Sequence, residues 1–255
     1  MNRAESLAIP PAGASTGAGR PSSVAFIERI VHHTMDTRSL FLRPANSQSL
    51  HFLPGQFLSL LLPVDGEVLT RPYSIASSPE DRDLLEICLN EVPGGRGSHY
   101  LFSLAPGAQI NFTGPWGTFK LDQPPTAECI FLADGTGVAP IRPMIRRVLE
   151  AEHSFPVHLL YSAEKEARLL YRDEFLIWMQ RHPRFVFESI LPTPSDGWRG
   201  LRGTLIEHVE ARYLRSDTDR SRHFYICGVG TSVTQLRDLL RGAGYQRRAV
   251  QYEKW

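Results

Sequence analysis

Short runs of alternating hydrophobic and polar positions fill the chain from Val24 to about Lys120. The runs are VAFIERIV, RSLFLR, QFLSLLL, LLEICLNEV and QINFTG, and Pro-Gly, Asp-Gly and Gly-Gly pairs separate many of them. Closely spaced short strands with such turn residues between them are typical of an antiparallel barrel or sandwich. The stretch GSHYLFSL differs, because its apolar residues have helical spacing. It predicts a short helix with Ser98 at the N-cap.

The pattern changes after Pro124 and Pro125. The apolar runs CIFLAD, PVHLLYS, RFVFESIL and HFYICG alternate with the helical patterns APIRPMIRRVLEAE, LLYRDEFLIWMQRH and SVTQLRDLLRGAG, and GTLIEHVEARY is a possible further helix. Strands that alternate with helices predict βαβ units around a parallel sheet. We therefore predict a flexible tail over residues 1–22, an antiparallel β-barrel domain over 23–124 and an α/β domain over 125–255. A last alternation, from Ala249 to Tyr252, predicts a strand close to the C-terminus.

Composition narrows the class of protein. The chain has 255 residues, which is enough for two domains, and its 42% hydrophobic and 22% charged residues are ordinary for a globular protein. A net charge of +1 argues against nucleic acid or an acidic membrane as the main partner. Three isolated cysteines exclude a four-cysteine iron–sulfur cluster and fit a reducing, cytoplasmic setting. No apolar run approaches the ~20 residues of a membrane span, and we expect no metal site.

Two stretches of the first half carry residues suited to an anionic, planar ligand. In RPYSIASSP, Arg71 offers charge, Tyr73 a flat face and Ser74 a hydroxyl, although a half-exposed barrel strand would have the same sequence. In GGRGSHYL, glycines free the backbone, and the following helix directs unsatisfied N–H groups at whatever lies before it, which suits a phosphate. The alternative is a glycine-rich loop leading into a capped helix.

Two stretches of the second half point to a nucleotide. In FLADGTGVAPIRPM a strand leads into Gly135-Thr136-Gly137 and then into a helix expected to open near Pro140, which is the dinucleotide-binding arrangement without its third glycine. The strand FYICG delivers Cys227 to its carboxyl end, where ligands of open α/β sheets bind. A buried cysteine of a strand is more often a small apolar filler.

Taken in order, the motifs RPYS, GGRGS, GPWGTF, GTGVAP, YICG and the final EKW resemble the ferredoxin–NADP reductase superfamily, the two-domain flavin reductases. The resemblance runs from about Val24 to Trp255. It implies an antiparallel β-barrel FAD-binding domain followed by an α/β parallel-sheet NAD(P)-binding domain. The second phosphate loop favours FAD over FMN.

The resemblance also assigns residues. Arg71 would neutralise a flavin phosphate, Tyr73 would stack on the isoalloxazine, and the Ser74 hydroxyl would lie near flavin N5. Glu253 and Trp255 match the Glu-x-aromatic ending of plant-type members, in which the aromatic ring covers the flavin; the alternative is a Trp that packs against the barrel. The implied catalytic residues are Ser74, Cys227, Glu253 and Trp255. The implied cofactor-binding residues are Arg71, Pro72, Tyr73, Ser74, Gly95, Arg96, Gly97, Ser98, Gly135, Thr136, Gly137, Cys227, Gly228 and Trp255.

The implied reaction moves hydride from a nicotinamide nucleotide to flavin N5 and passes electrons singly to a separate acceptor. No cysteine set for a fused iron–sulfur domain is present, so the expected partner is a ferredoxin, a flavodoxin or an oxygenase component. Two alternatives stay open at this point: an NAD(P)H:flavin reductase, and a non-catalytic flavin-binding subunit of a larger complex.

The choice between NADH and NADPH rests on departures from the family pattern. The Ser-Arg pair that grips the 2′-phosphate in plant-type members is absent from ESILPTPSDGWRGLRGT, and Glu164 could accept from a ribose hydroxyl. Basic residues that could instead bind phosphate are Lys165, Arg168, Arg199 and Arg202. The sequence favours NADH. A further departure is Asp134, which stands where glycine is common before Gly-Thr-Gly.

Overall fold

Two six-stranded sheets, one antiparallel and one parallel, follow each other along the chain. A computed structural model describes residues 22–46, 50–81, 83–121, 125–151, 154–215 and 217–255. Apart from Ser22, the predicted tail lies outside these residues, as does Pro124 at the predicted boundary. Within the described ranges, no helix has the length and apolar character needed to cross a membrane.

The antiparallel sheet closes into a barrel. Its strand order is β4-β3-β6-β1-β2-β5, and a bridge between Ile75, just after β4, and Ile87 in β5 joins the two ends. Along β3 the side chains of Leu58, Leu60 and Leu62 are buried and alternate with more exposed ones, as a strand with one face on a core requires. The elements are β1 Ser23–Thr34, β2 Thr37–Pro44, β3 Phe57–Val64, β4 Glu67–Ser74, β5 Leu85–Asn90, α1 Arg96–Ser103 and β6 Gln109–Trp116.

The predicted helix between β5 and β6 is present, but its predicted cap is wrong. The helix begins at Arg96 and its N-cap is Gly95, which has no side chain to offer. The Ser98 hydroxyl instead accepts from the Val92 N–H at 3.0 Å and donates to the Gly95 carbonyl at 3.0 Å. Ser98 therefore closes the glycine loop from inside the first turn, and the helix starts earlier than its hydroxyl suggested.

The second sheet is wholly parallel, with the order β10-β9-β8-β7-β11-β12. Alternate residues of β7 serve its two faces: Phe131 packs in the cluster that holds α2 and α3, and Leu132 in the cluster that holds α4 and α5. Helix α2 opens at Val138, directly after a 3-10 turn at Gly135–Gly137, so the predicted opening near Pro140 is two residues late. The elements are β7 Cys129–Asp134, α2 Val138–Glu150, β8 Val157–Ser162, α3 Arg172–Arg181, β9 Phe185–Leu191, β10 Leu201–Arg202, α4 Leu205–Tyr213, β11 His223–Gly228, α5 Ser232–Gly242 and β12 Val250–Lys254.

A buried ion pair joins the two sheets. Arg142 of α2 donates to the Glu86 carboxylate of β5 at 2.6 Å and to the Ala76 carbonyl at 3.1 Å, both in the barrel. The side chain of Glu86 is 4% exposed and that of Arg142 is 19% exposed. Burial alone would lower the pKa of Arg142, but Glu86 and Glu174 raise it above its ordinary value, so the guanidinium stays charged.

Neighbouring groups complete this junction. The Glu86 carboxylate also accepts from Ser39 at 2.6 Å and from the Tyr171 hydroxyl at 2.8 Å. Tyr171 has a φ of 57°, which is uncommon for a residue with a side chain, and its ring lies under the Arg142 guanidinium at 4.4 Å. Removing the charge of Arg142 would therefore leave the Glu86 carboxylate buried without its counter-charge, whereas Arg142 also pairs with Glu174 at 2.8 Å.

We expect Arg142→Met to lower the free energy of unfolding by about 3–5 kcal/mol, because it leaves the Glu86 carboxylate buried and uncompensated. The measurement is urea unfolding of the purified protein. Arg146→Met, on the same helix, is the matched control: its pairs with Asp81 and Glu150 are solvent-exposed, and its loss should cost less than about 1 kcal/mol. Equal losses in the two variants would contradict the assignment. Adding Glu86→Gln to Arg142→Met should restore part of the stability.

Candidate functional site

The end of β4 presents the first group of predicted site residues. Ser74 is the last residue of the strand, is buried, and lies opposite Phe57 of β3. Tyr73 is half-buried against the barrel core, and burial raises the pKa of its hydroxyl to about 12, so it stays protonated. Pro72 and Arg71 precede them on the exposed part of the strand. A hydroxyl, a ring and a guanidinium thus lie along one strand end.

The glycine loop before α1 lies against Arg71. A Cβ added at Gly97 would come within 3.1 Å of the Arg71 Cγ, and one at Gly95 within 2.8 Å of the Ser98 Oγ. The two predicted phosphate-binding stretches, which are more than twenty residues apart in sequence, therefore form one site. A larger residue at Gly97 would push the loop away from β4, and one at Gly95 would collide with Ser98 and Val92 within the loop.

The two arginines predicted for this site have different surroundings. Arg71 donates to the Thr70 carbonyl at 2.9 Å, and no carboxylate pairs with it within the described part of the chain. Arg96 instead pairs with Asp65 at 3.1 Å and with Glu67 at 3.5 Å, across the hairpin between β3 and β4. The charge of Arg71 is thus available to an anion, whereas that of Arg96 is already used.

The Gly-Thr-Gly turn after β7 combines an open position with a packed one. Gly135 has a φ of +55° and no atom within 4 Å of a Cβ, so the turn needs glycine and leaves space above it. At Gly137 a Cβ would meet the Cys227 carbonyl oxygen at 2.2 Å, so the start of α2 lies directly against β11. Gly228 is similarly close to Asp134, since its Cβ would lie 2.8 Å from that of Asp134.

A cavity of about 290 Å³ opens at the carboxyl ends of β7 and β8. It lies beside the point where β8 and β11 depart on opposite sides of β7, the usual position for a ligand in such sheets. The barrel supplies one wall, in which the Thr37 hydroxyl donates to Asn90 at 2.8 Å. Sequence reasoning missed these two residues, because nothing local marks them. The lining residues are Thr37, Asn90, Asp134, Gly135, Thr136, Ala163, Glu164, Arg168, Leu170 and Val229.

The basic residues considered for this cavity are distributed unevenly. Arg168 is in the lining, where its guanidinium pairs with Asp36 of the barrel and lies 3.7 Å from Glu164. Lys165 is exposed and lies 3.7 Å from Glu164. Arg199 and Arg202 are exposed residues at the β10 side of the sheet and are not among the lining residues.

The last residues of the chain return to the barrel. Strand β12 pairs in parallel with β11, which sets Glu253 opposite Cys227. The backbone N–H of Trp255 donates to the Gly228 carbonyl at 3.1 Å. The indole ring of Trp255 meets the ring of Phe57 edge-on, with centroids 5.8 Å apart. Phe57, which sequence reasoning did not single out, thus links Trp255 to Ser74 on the neighbouring strand. Ser74, Cys227, Glu253 and Trp255 are connected through these contacts.

Burial sets the charge state of this group. One carboxylate oxygen of Glu253 is buried and has no hydrogen-bond partner within the described residues, and burial raises the pKa of this carboxyl to about 8. Burial and the nearby Glu253 raise the pKa of the Cys227 thiol well above its ordinary value. Near neutral pH both groups therefore hold their protons. A protonated Glu253 can donate a hydrogen bond to a ligand in front of it.

Two family models match successive parts of the chain. Residues 24–121 match the family model of the oxidoreductase FAD-binding domain, and residues 131–236 match that of the oxidoreductase NAD-binding domain. The chain is 35% identical over 222 residues to ferredoxin–NADP reductase B of Sorangium cellulosum (strain So ce56), covering 86% of this chain and 91% of the relative. It is 28% identical over 258 residues to the toluate 1,2-dioxygenase electron transfer component of Pseudomonas putida, covering 99% and 74%.

Solved structures show the same fold. The cytochrome P450 reductase GcoB of Amycolatopsis superposes with a TM-score of 0.81 at 26% identity, over 92% of this chain and 69% of that one. A ferredoxin NADP+ reductase from Neisseria gonorrhoeae with bound FAD and NADP superposes with a TM-score of 0.76 at 22% identity, over 91% and 98%. The second likeness concerns the fold alone.

We expect Glu253→Gln to stabilise the protein increasingly as the pH rises. The carboxyl has a pKa of about 8 when folded and 4.5 as its ordinary value, so the folded state holds the proton more tightly. Its stabilising contribution is complete below pH 4.5 and is lost as the pH rises towards 8, with a slope of at most about 1.4 kcal/mol per pH unit.

The measurement is the free energy of unfolding of the wild type and the variant between pH 5 and 9. The difference between the two free energies of unfolding should grow up to about pH 8 and then become constant. Glu210→Gln, on the surface of α4, is the control and should give no such trend. A constant difference across the range would contradict the protonated state of Glu253.

Proposed function

The chain belongs to the ferredoxin–NADP reductase superfamily, and from this premise we propose that its hydride donor is NADH and that the predicted residues form its flavin and nucleotide sites. It is an FAD-dependent NAD(P)H oxidoreductase that delivers electrons to a separate acceptor. When bound, FAD supplies the electron chemistry, since it accepts hydride at N5 and releases electrons singly. The protein supplies binding, orientation and exclusion of water.

The observation that carries the flavin site is the contact between Arg71 and the Gly95–Ser98 loop. An arginine without a carboxylate partner lies there beside the N–H groups that open α1, and both favour an anion. These groups fit the flavin pyrophosphate. Tyr73 and Ser74 follow on the same strand, so the isoalloxazine ring would extend from the phosphates towards Phe57 and Trp255.

The nucleotide site is supported by the cavity above Gly135 and Thr136. Its open glycine turn fits a pyrophosphate, and its position leads towards Cys227, Glu253 and Trp255. We assign Trp255 to the flavin face, where it excludes water until the nicotinamide ring displaces it. Glu253 then holds a proton towards the nicotinamide, and Ser74 positions the reacting edge of the flavin.

The preference for NADH is supported by the charges of the cavity. Its one lining arginine, Arg168, is held by Asp36 and Glu164, so its charge is neutralised before any ligand arrives. Asp134 and Glu164 add negative charge to the lining. An additional 2′-phosphate would meet repulsion there, whereas a ribose hydroxyl can donate to Glu164.

For the acceptor we propose a small electron-carrier protein or an oxygenase component. The similar proteins include a ferredoxin–NADP reductase and the electron transfer component of a dioxygenase. The chain spans 60% of a third relative, the glycine betaine monooxygenase reductase subunit of Pseudomonas aeruginosa (strain UCBPP-PA14).

We expect NADH to bleach the flavin absorption at least about tenfold faster than NADPH under anaerobic conditions, because of the carboxylates in the cavity. Stopped-flow absorbance gives both rates. Glu164→Gln should narrow the ratio several-fold, while Glu166→Gln, whose carboxylate pairs with Arg172 at 2.9 Å, should leave it unchanged. A faster rate with NADPH would overturn the nucleotide preference. A flavin that neither nucleotide bleaches would overturn the nucleotide site itself.

We expect Arg71→Met to weaken FAD binding roughly ten- to a hundredfold, the loss that follows from removing a charged hydrogen bond of about 1.5–3 kcal/mol. Arg96→Met removes an equal charge from the neighbouring loop but should weaken binding far less, because that guanidinium already pairs with Asp65 and Glu67. Fluorescence titration of the flavin-free protein with FAD measures both. A larger loss in Arg96→Met would reverse the assignment of the two arginines.

A further inference from the structure

Asp134 lines the proposed nucleotide cavity, as the last residue of β7 directly before the Gly-Thr-Gly turn. Its side chain is directed over β11, because a Cβ at Gly228 would collide with the Asp134 Cβ at 2.8 Å. Glycine at position 228 therefore makes room for this carboxyl group. A nucleotide bound in this cavity would have to approach the side chain of Asp134.

The first residue of α5 interacts with the same carboxyl. Burial raises the pKa of Asp134, and hydrogen bonding by Ser232 partly opposes this shift. Ser232 opens an eleven-residue helix whose N-cap, Thr231, makes no side-chain hydrogen bond to the helix backbone. The Ser232 hydroxyl also donates to the Val229 carbonyl at 3.3 Å. The partial positive charge of a helix N-terminus favours a nearby anion, which is consistent with the effect of Ser232 on Asp134.

The other charged groups around Asp134 do not neutralise it. From the segment after β8, Glu164 adds a second carboxylate and Arg168 is held by Asp36 of the barrel. The remaining polar side chains of the lining are uncharged: Thr37 and Asn90 are hydrogen-bonded to each other, and Thr136 lies in the Gly-Thr-Gly turn. Tyr161 of β8, which interacts electrostatically with Asp134, stays protonated because burial raises its pKa.

We propose that the Asp134 carboxylate repels the pyrophosphate of the nicotinamide nucleotide. Ionisation of Asp134 then weakens nucleotide binding, and its protonation strengthens it. The inference rests on the nucleotide site proposed above. Asp134 is a cavity residue whose effect is unfavourable: its carboxylate lies beside the Gly-Thr-Gly turn and repels the incoming phosphates. The affinity of the site should therefore decrease as the pH rises.

The experiment is the dissociation constant of NAD+, measured from the difference spectrum of the bound flavin between pH 5 and 8.5. In the wild type the constant should increase with pH as Asp134 ionises. Asp134→Asn should bind NAD+ about tenfold more tightly at pH 8, and this gap should narrow as the pH falls. Asp134→Ala is the second variant, in case the amide disturbs the contact with Ser232. Asp238→Asn removes an equal charge from the exposed face of α5 and should bind as the wild type does.

Three results would overturn the inference. Equal dissociation constants in the wild type and in both Asp134 variants at every pH would remove any electrostatic role. Weaker binding in the variants would mean that Asp134 holds the nucleotide, for example through a ribose hydroxyl. An equal gain in Asp238→Asn would mean that only the net charge matters. If NADH bleaches the wild-type flavin, these failures concern Asp134 alone; if it does not, the nucleotide site fails first.

Discussion

The buried contact between Glu86 and Arg142 is the constraint on which the rest of the molecule depends. A carboxylate that is 4% exposed costs several kcal/mol unless a counter-charge and hydrogen bonds satisfy it, and here the counter-charge comes from the other domain. The barrel therefore cannot bury this strand without α2 against it. The cavity at the carboxyl ends of β7 and β8 depends on this docking, since Thr37 and Asn90 of the barrel line it on one side and Gly135 and Thr136 on the other.

Further contacts make the junction rigid in more than one direction. Met144 of α2 packs so closely on Gly55 that a Cβ there would lie 2.2 Å from its Cε, and Arg168 reaches Asp36 at the hairpin between β1 and β2. Tyr171 accepts an uncommon backbone conformation in order to place its hydroxyl on Glu86 and its ring under Arg142. Such local strain persists only where the surroundings determine it. Here the polar contacts of Tyr171 with Glu86, Ser39 and Arg142 do so.

The sequence was informative where the cause of a feature is local. Hydrophobic periodicity identified most strands and helices, although it gave no run for β4 and missed the short strand β10. Glycine identified turns such as Gly135, whose φ is +55°. It misjudged the start of α1, because a serine was taken as a cap when its hydroxyl bonds to Val92 and Gly95 inside the loop. The sequence did not predict the ion pair of Glu86 with Arg142 or the contact of Phe57 with Trp255. These contacts join residues far apart in the chain, and the sequence around each residue does not mark it as part of a contact.

The end of the chain shows how the fold separates a fixed group from a movable one. Glu253 is held inside the ladder between β11 and β12, whereas Trp255 follows the last strand residue and is 38% exposed. Its amide hydrogen bond to Gly228 and its edge-on contact with Phe57 are each worth about 1 kcal/mol. Micromolar to millimolar nucleotide binding corresponds to about 4–8 kcal/mol, which exceeds this cost. Under the proposed function, the indole would therefore leave the flavin face while Glu253 keeps its position.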